Sequence, residues 1–304
     1  MSEKIENLLG EDRTFDPPSS IVENANATQE WFDLANEDRL AYWQKQALER
    51  ITWYKEPKEI LDDSDAPFYK WFKDGELNLA YNCLDRHLET DGDRIAFYWE
   101  GEPGDSQEIT YQDLYERVCK LSNGLKELGV KKGDRIAIYL GMTPEIVISM
   151  LACARIGAVH SVVFGGFSAE ALADRINDAE AKIVITADGA WRRGDIVPLK
   201  QNVDDSLKLT DHIESVIVVK RTENEVTMVD GRDYWYSELV DKQEADCEPE
   251  VMNAEDMLYI LYTSGTTAKP KGIVHTQAGY LTGVTTTHSA VFDVKEDDIY
   301  WCAA

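Results

Sequence analysis

From about residue 94 onward, the sequence alternates short apolar strands with amphipathic helices, and this alternation limits the possible folds. The helix predicted over residues 111–128 repeats leucine and valine at helical spacing and is followed by Gly129, a typical helix-terminating residue. Runs typical of buried strands cover residues 135–140, 159–164, 182–186, 215–220 and 257–262. Strands separated by helices predict an α/β fold with a doubly wound, largely parallel sheet.

Local signals add detail to this prediction. Residues 94–99 and 108–110 are expected to pair as a hairpin. Thr143 is a candidate N-cap, since proline follows it, and that helix is expected to end at Gly157. Another helix, capped by Ser168, is expected after a glycine turn.

The amino-terminal region has a different character. Residues 1–25 are polar and are expected to form a loose arm, while residues 26–86 form a helical, aromatic-rich segment whose aromatic side chains we interpret as packing residues. A helix predicted over residues 78–88 leads into the main domain, which we assign to residues 87–304.

The strand predicted over residues 257–262 runs directly into a loop rich in hydroxyl groups. Small residues allow backbone N–H groups to approach a polyphosphate such as ATP, hydroxyls add donors, and lysine adds charge. The spacing is not that of the Walker P-loop, because no Gly-Lys-Ser/Thr follows Gly265. We assign the loop to the β- and γ-phosphates of Mg-ATP, with the candidate residues Thr263, Ser264, Gly265, Thr266, Thr267, Lys269 and Lys271.

The charge pattern supports this assignment. The chain carries 57 acidic and 31 basic residues, a net charge of −26, yet the 36 residues between Asp256 and Asp293 contain no acid. The average composition predicts about seven acids in a segment of that length. A buried strand and helix explain the missing charges, but they do not explain hydroxyls beside two lysines.

Composition excludes several classes of protein. So acidic a chain is not expected to bind nucleic acid or an anionic membrane, and it contains no apolar run of transmembrane length. Its five scattered cysteines and five histidines show no metal-ligand or nucleophile spacing, so we expect reduced thiols, no protein-bound metal and a cytoplasmic location.

Several stretches of the sequence resemble those of a known family. The phosphate loop resembles the signature of adenylate-forming enzymes. The sequence from about Trp31 to the last residue resembles the acetyl-CoA synthetase branch of these enzymes. The matching stretches are residues 82–88, 150–168, 183–188 and 298–302. Ala268 departs from the glycine usual in the family, and a positive φ there would cost roughly 1 kcal/mol or more.

The resemblance implies a coenzyme A site. It places the turn containing Gly165 and Gly166, and the segment Arg192-Arg193-Gly194, against coenzyme A, whose 3′-phosphate suits a guanidinium group. Asp195 stands where many members of the family are basic, so we expect no anion contact there. From the residues alone, a tight glycine turn and two solvated arginines explain the same pattern.

The resemblance also implies a reaction. ATP, Mg²⁺ and coenzyme A are the expected cofactors, acetate or a similar short carboxylate the expected substrate, and an acyl-adenylate the intermediate. The catalytic residues stay unknown, because the family's adenylation lysine falls beyond residue 304; we expect an amino-terminal fragment that is inactive alone. Two alternatives stay open: a propionyl or other short-chain synthetase fragment, and a non-catalytic nucleotide-binding protein.

Overall fold

The computed structural model describes residues 14–263 and 270–301. Its helices are α1 (Ser19–Asn24), α2 (Gln29–Glu37), α3 (Arg39–Arg50), α4 (Leu79–Cys83), α5 (Asp85–Asp91), α6 (Tyr111–Glu127), α7 (Pro144–Arg155), α8 (Ala169–Ala179), α9 (Leu199–Ser206), α10 (Tyr236–Val240) and α11 (Gln277–Val291). Its strands are β1 (Leu61–Asp62), β2 (Lys70–Trp71), β3 (Glu76–Leu77), β4 (Ile95–Glu100), β5 (Ser106–Thr110), β6 (Arg135–Tyr139), β7 (Val159–Val162), β8 (Ile183–Ala187), β9 (Ala190–Arg192), β10 (Asp195–Val197), β11 (Ser215–Val219), β12 (Asp233–Trp235), β13 (Met252–Asn253), β14 (Met257–Thr263) and β15 (Lys271–Thr276).

Seven strands form one central sheet in the order β12-β11-β8-β6-β7-β14-β15. All neighbours run parallel except β14 and β15, which are antiparallel. The chain passes from β6 to β7 on one side and then returns to β8 on the other side of β6, so the winding reverses beside this strand. The predicted α/β fold with a largely parallel, doubly wound sheet is confirmed.

The centre of the sheet is buried on both faces. Every residue of β8 and of β11 is buried, as expected for parallel strands covered by helices on each side. The predicted strand over residues 159–164 is shorter, because Val163 and Phe164 already belong to the turn after β7. The predicted hairpin is confirmed as the antiparallel pair β4 and β5.

The helix-end predictions had mixed outcomes. Gly129 has a φ of +86°, the left-handed conformation that favours glycine after a helix. Ser168 caps α8, since its Oγ accepts a hydrogen bond from the Ala171 N–H. Thr143 precedes α7 as predicted, but its side chain makes no capping bond; its hydroxyl is buried and has no partner among the described residues.

The amino-terminal segment is more broken than predicted. Residues 14–25, within the predicted loose arm, include the exposed helix α1. The helix predicted over residues 78–88 is wrong as one element, because α4 and α5 are separated at Leu84. That break turns Asp85 toward the main domain, where it pairs with a buried arginine.

This buried pair joins α5 to α7. Both guanidinium Nη atoms of Arg155, a residue only 1% exposed, donate to the Asp85 carboxylate at 2.8 and 2.9 Å. Burial alone lowers the pKa of Arg155, but the hydrogen bonds to Asp85 raise it above its ordinary value. Beside the pair, the Asn78 amide donates to the carbonyls of Ala154 and Arg155, so α4 also holds the end of α7.

We predict that Asp85→Ala destabilises the protein strongly. The substitution leaves the Arg155 cation buried without its partner, which costs about 3–5 kcal/mol. Urea denaturation measures the loss. Glu127→Ala is the matched control, because Glu127 belongs to an exposed pair with Lys242, and we expect at most about 1 kcal/mol there. Equal losses in the two variants would contradict the role given to the buried pair.

Candidate functional site

A cavity of about 310 Å³ opens at the carboxyl edge of the sheet. Part of its wall comes from the segments that follow β6, β7 and β8, the strands at which the winding of the chain reverses. The end of β4 and the turn after it, with Glu100 and Glu102, and Arg221 after β11 complete the wall. In open α/β sheets, this reversal leaves a crevice where ligands bind, because neighbouring connections depart to opposite faces. Position alone therefore makes this cavity the candidate site.

The two glycines of the turn after β7 allow close packing in the cavity wall. A Cβ atom on Gly165 would lie 3.0 Å from the Leu140 carbonyl oxygen. A Cβ atom on Gly166 would lie 2.3 Å from Nη1 of Arg192, so a side chain there would push the guanidinium aside. The Leu140 carbonyl therefore limits the space at Gly165, and the turn brings Gly166 against Arg192.

Arg192 is a cation in the wall of this cavity. Its guanidinium lies 4.9 Å from the centre of the Phe164 ring, and it forms no ion pair with the described residues. An arginine stacked on a ring and free of a carboxylate keeps its N–H donors available for a phosphate. The sequence-predicted residues Gly165, Gly166 and Arg192 are therefore brought together.

The remaining residues of the predicted arginine segment lie at the tip of the β9–β10 hairpin. Arg193 and Gly194 both have positive φ and are exposed, and neither lines the cavity. The Gly194 N–H donates to the Glu102 carboxylate. Asp195 pairs with Arg192 in the strand register and does not line the cavity either.

Sequence reasoning missed a second arginine in the cavity wall. Arg221 is the second residue after β11, lies 5.0 Å from the Trp99 ring and makes two hydrogen bonds, of 2.7 and 3.0 Å, to Asp105. The hydrogen bond from Arg221 lowers the pKa of Asp105. The position of Arg221 in the sequence could have indicated a role in the site, since this residue stands at the carboxyl end of a strand.

A buried carboxylate fixes the backbone of this arginine. Asp188, only 1% exposed, accepts backbone N–H groups from Gly189 at 2.7 Å, Arg221 at 2.8 Å, Thr222 at 3.0 Å and Glu223 at 2.8 Å. The end of β8 thus holds the segment after β11, and both strands contribute to one rigid wall.

The first and last residues of the predicted phosphate loop pair with each other in the sheet. Thr263 is the last residue of β14, Lys271 is the first of β15, and the two are register partners. The strand after the loop, β15, spans Lys271–Thr276. Since β14 runs parallel to β7, the loop leaves the same edge of the sheet that carries the cavity. The predicted residues Ser264, Gly265, Thr266, Thr267 and Lys269, and also Ala268, lie outside the described residues.

A stack of aromatic rings lies beneath this edge. Tyr259 stacks on His275 with ring centres 4.5 Å apart and on His160 at 5.5 Å. Burial lowers the pKa of His160 to about 4. Both histidines therefore pack within the sheet, and no group of three or more metal-ligating side chains occurs in residues 14–263 and 270–301.

Comparison with known proteins identifies the family. The model of the AMP-binding enzyme family matches residues 84–304. The chain belongs to the AMP-binding enzyme family. A second model, the acetyl-coenzyme A synthetase N-terminus, matches residues 17–83 of this AMP-binding enzyme. The resemblance noted in the sequence is thereby confirmed.

Curated relatives of this AMP-binding enzyme extend along the whole chain. The chain is 58% identical to the acetyl-coenzyme A synthetase of Streptomyces avermitilis and 56% identical to that of Streptomyces coelicolor, in each case over 100% of its own length and 47% of the relative. It is 54% identical to the acetyl-coenzyme A synthetase of Pasteurella multocida over 98% of the chain and 47% of that relative. The chain thus spans about half the length of these relatives. Among its described residues, no helix is both long and apolar enough to cross a bilayer.

We predict that the buried imidazole makes stability depend on pH. His160 stays neutral in the folded protein down to about pH 4, whereas the unfolded chain takes up a proton near pH 6.5. The contribution of neutral His160 to the free energy of unfolding is present above pH 6.5 and is lost as pH falls toward 4. The loss is about 2 kcal/mol between pH 6.5 and 5. Urea denaturation at these two pH values measures the change.

His160→Asn provides the comparison, since asparagine does not titrate. The variant should lose about 2 kcal/mol less stability than the parent over the same pH interval. Parallel pH profiles for the two proteins would show that His160 does not cause the dependence.

Proposed function

We propose that this chain contributes the phosphate loop and a coenzyme A cavity to an AMP-forming acetate–CoA ligase. The observation that carries the proposal is similarity to acetyl-coenzyme A synthetases over the whole chain, including the region matched by the model of their amino terminus. The cavity at the reversal of the sheet supports the same function, since its wall contains Arg192, which has no ion-pair partner within residues 14–263 and 270–301.

The reaction follows from a chemical obstacle. A carboxylate does not react directly with a thiol, because oxide is a very poor leaving group. In the first step an acetate oxygen attacks the α-phosphorus of ATP; a carboxyl O–P bond forms, the bond to the bridging oxygen breaks and pyrophosphate leaves. In the second step the sulfur of coenzyme A attacks the acetyl carbonyl, and AMP leaves with the oxygen.

The chain's residues act by positioning and by charge stabilisation. The loop from Thr263 to Lys271 holds the β- and γ-phosphates with hydroxyls, backbone N–H groups and two lysines. Magnesium arrives with ATP as part of the substrate. Arg192 binds the 3′-phosphate of coenzyme A, while Gly165 and Gly166 let the coenzyme approach the backbone.

A cytoplasmic location is part of the proposal. Coenzyme A and ATP are supplied there, and the four cysteines within the described residues are free thiols, as is usual in a reducing compartment.

Acetate-dependent exchange of labelled pyrophosphate into ATP tests the proposed function. It is measured on the protein expressed from its complete gene, with acetate, propionate and butyrate compared at equal concentrations. The proposal expects exchange with the highest kcat/KM for acetate. Higher kcat/KM for propionate would establish the alternative short-chain synthetase, and absence of exchange with every acid would refute the ligase function.

We predict that Arg192→Met weakens the binding of coenzyme A but not the binding of dephospho-coenzyme A. Loss of a charge-assisted contact to phosphate costs about 1.5–3 kcal/mol, so the KM for coenzyme A should rise about tenfold or more. Steady-state kinetics with coenzyme A and with dephospho-coenzyme A measure the effect. The KM for dephospho-coenzyme A, which lacks the 3′-phosphate, should stay within about twofold of the parent.

Lys208→Met is the control for the lost positive charge, because Lys208 is exposed and lies outside the cavity. It should leave both KM values unchanged. Equal increases for coenzyme A and for dephospho-coenzyme A in the Arg192 variant would argue against 3′-phosphate binding by this residue.

A further inference from the structure

A continuous row of stacked side chains connects the cavity to the strand before the phosphate loop. Arg192 lies over the Phe164 ring at 4.9 Å, and Phe164 meets Phe167 edge-on with ring centres 5.7 Å apart. Phe167 faces the Arg175 guanidinium at 4.4 Å, and Arg175 also lies 5.6 Å from the Tyr262 ring. These five side chains are the stacked row.

Arg175 is the member of the row that the proposed reaction leaves unexplained. It lies on α8, is only 8% exposed and forms no ion pair with the described residues. Its Nη1 donates to the Ala171 carbonyl at 2.5 Å within the same helix. Burial lowers the pKa of Arg175, while Tyr262 and Asp174 oppose that change. A buried cation without an ion pair needs other stabilisation, and here two ring faces contribute it together with the Ala171 carbonyl.

The two residues whose rings contact Arg175 are also held by hydrogen bonds. The Tyr139 hydroxyl, on β6, donates to the Phe167 carbonyl at 2.7 Å and accepts from the Asn202 amide at 3.1 Å. The Tyr262 hydroxyl donates to the Asp178 carboxylate at 2.6 Å. The Phe167 backbone and the Tyr262 side chain are therefore each anchored, and Arg175 contacts both rings.

The two rings belong to different parts of the proposed site. Phe167 ends the glycine turn that follows β7, which we assign to coenzyme A. Tyr262 precedes Thr263, the first residue assigned to the phosphates, on β14. The only register pair that the structure records between β7 and β14 is Tyr259 with His160, within the sheet rather than at its carboxyl edge. Arg175 supplies a contact at that edge.

We propose that Arg175 is a positioning residue that fixes the coenzyme A turn relative to the phosphate strand. This inference rests on the proposed function. The adenylation step uses the phosphate side alone, whereas thioester formation requires the thiol to reach an intermediate held on the other side. Because a misplacement of about 1 Å can cost two orders of magnitude in rate, loss of Arg175 affects the second step more than the first.

The experiment compares two rates in the protein expressed from its complete gene. Acetate-dependent ATP–pyrophosphate exchange reports the first step, and AMP release with saturating coenzyme A reports the complete reaction. For Arg175→Met we expect exchange within about twofold of the parent and AMP release lowered about tenfold or more. Arg175→Lys should recover part of the loss, because lysine keeps the charge but not the planar stacking.

Arg135→Met is the matched control. Arg135 begins β6 at the opposite edge of the sheet and pairs with the exposed Glu180 at 2.9 Å. It should change neither rate, and thermal unfolding of each variant measures how much folded protein is present. Where Arg175→Met lowers the folded fraction, the lysine variant carries the comparison.

Two results would overturn the inference while leaving the proposed function intact. One is an equal fall of both rates per folded molecule, which indicates a merely structural role. The other is an unchanged AMP release rate in both Arg175 variants. Absence of exchange in the parent protein is a different result, since it refutes the proposed function and with it the role given to Arg175.

Discussion

The parallel pairing of β6 with β7 on one side and β8 on the other is the constraint on which the site depends. It places the turns after three strands at one edge of the sheet, and the reversal of winding beside β6 leaves room between them. Burial favours this arrangement, because β8 and β11 are buried along their whole length, and a position between two neighbouring strands and under helices on both faces keeps their aliphatic side chains from water. The cavity is therefore a consequence of sheet order, and loop residues supply only its chemistry.

Polar groups at this edge are held by backbone and ring contacts as well as by carboxylates. Asp188 accepts four backbone N–H groups and so joins the end of β8 to the segment that carries Arg221. Arg192 and Arg175 instead lie against aromatic rings and form no ion pair with the described residues. Asp188 therefore stabilises the backbone of the cavity wall. The two arginines, by contrast, remain available to a ligand or to a neighbouring segment.

Sequence patterns predicted most strands of the central sheet, the hairpin and the Gly129 helix end, because these depend on local periodicity and on single residues; the short strands β9, β10 and β12 were not predicted. The break at Leu84 was missed, since it depends on Asp85 reaching Arg155, which is distant in the chain. The approach of Gly166 to Arg192 could be expected only from the family resemblance, because the two residues follow different strands. Arg221 and Arg175 were missed for the same reason: Asp105 and Tyr262, their respective partners, are distant in the chain and become neighbours only in the folded protein.

The central claim is that coenzyme A binds at the carboxyl edge, against the turns after β7 and β8. Amide hydrogen exchange of the protein expressed from its complete gene, with and without saturating coenzyme A, tests it directly. The account predicts slower exchange at residues 164–167 and 190–194 and no change at the opposite edge, at residues 131–134 and 180–182. Protection confined to that opposite edge, or none at the predicted turns while coenzyme A is bound, would contradict it.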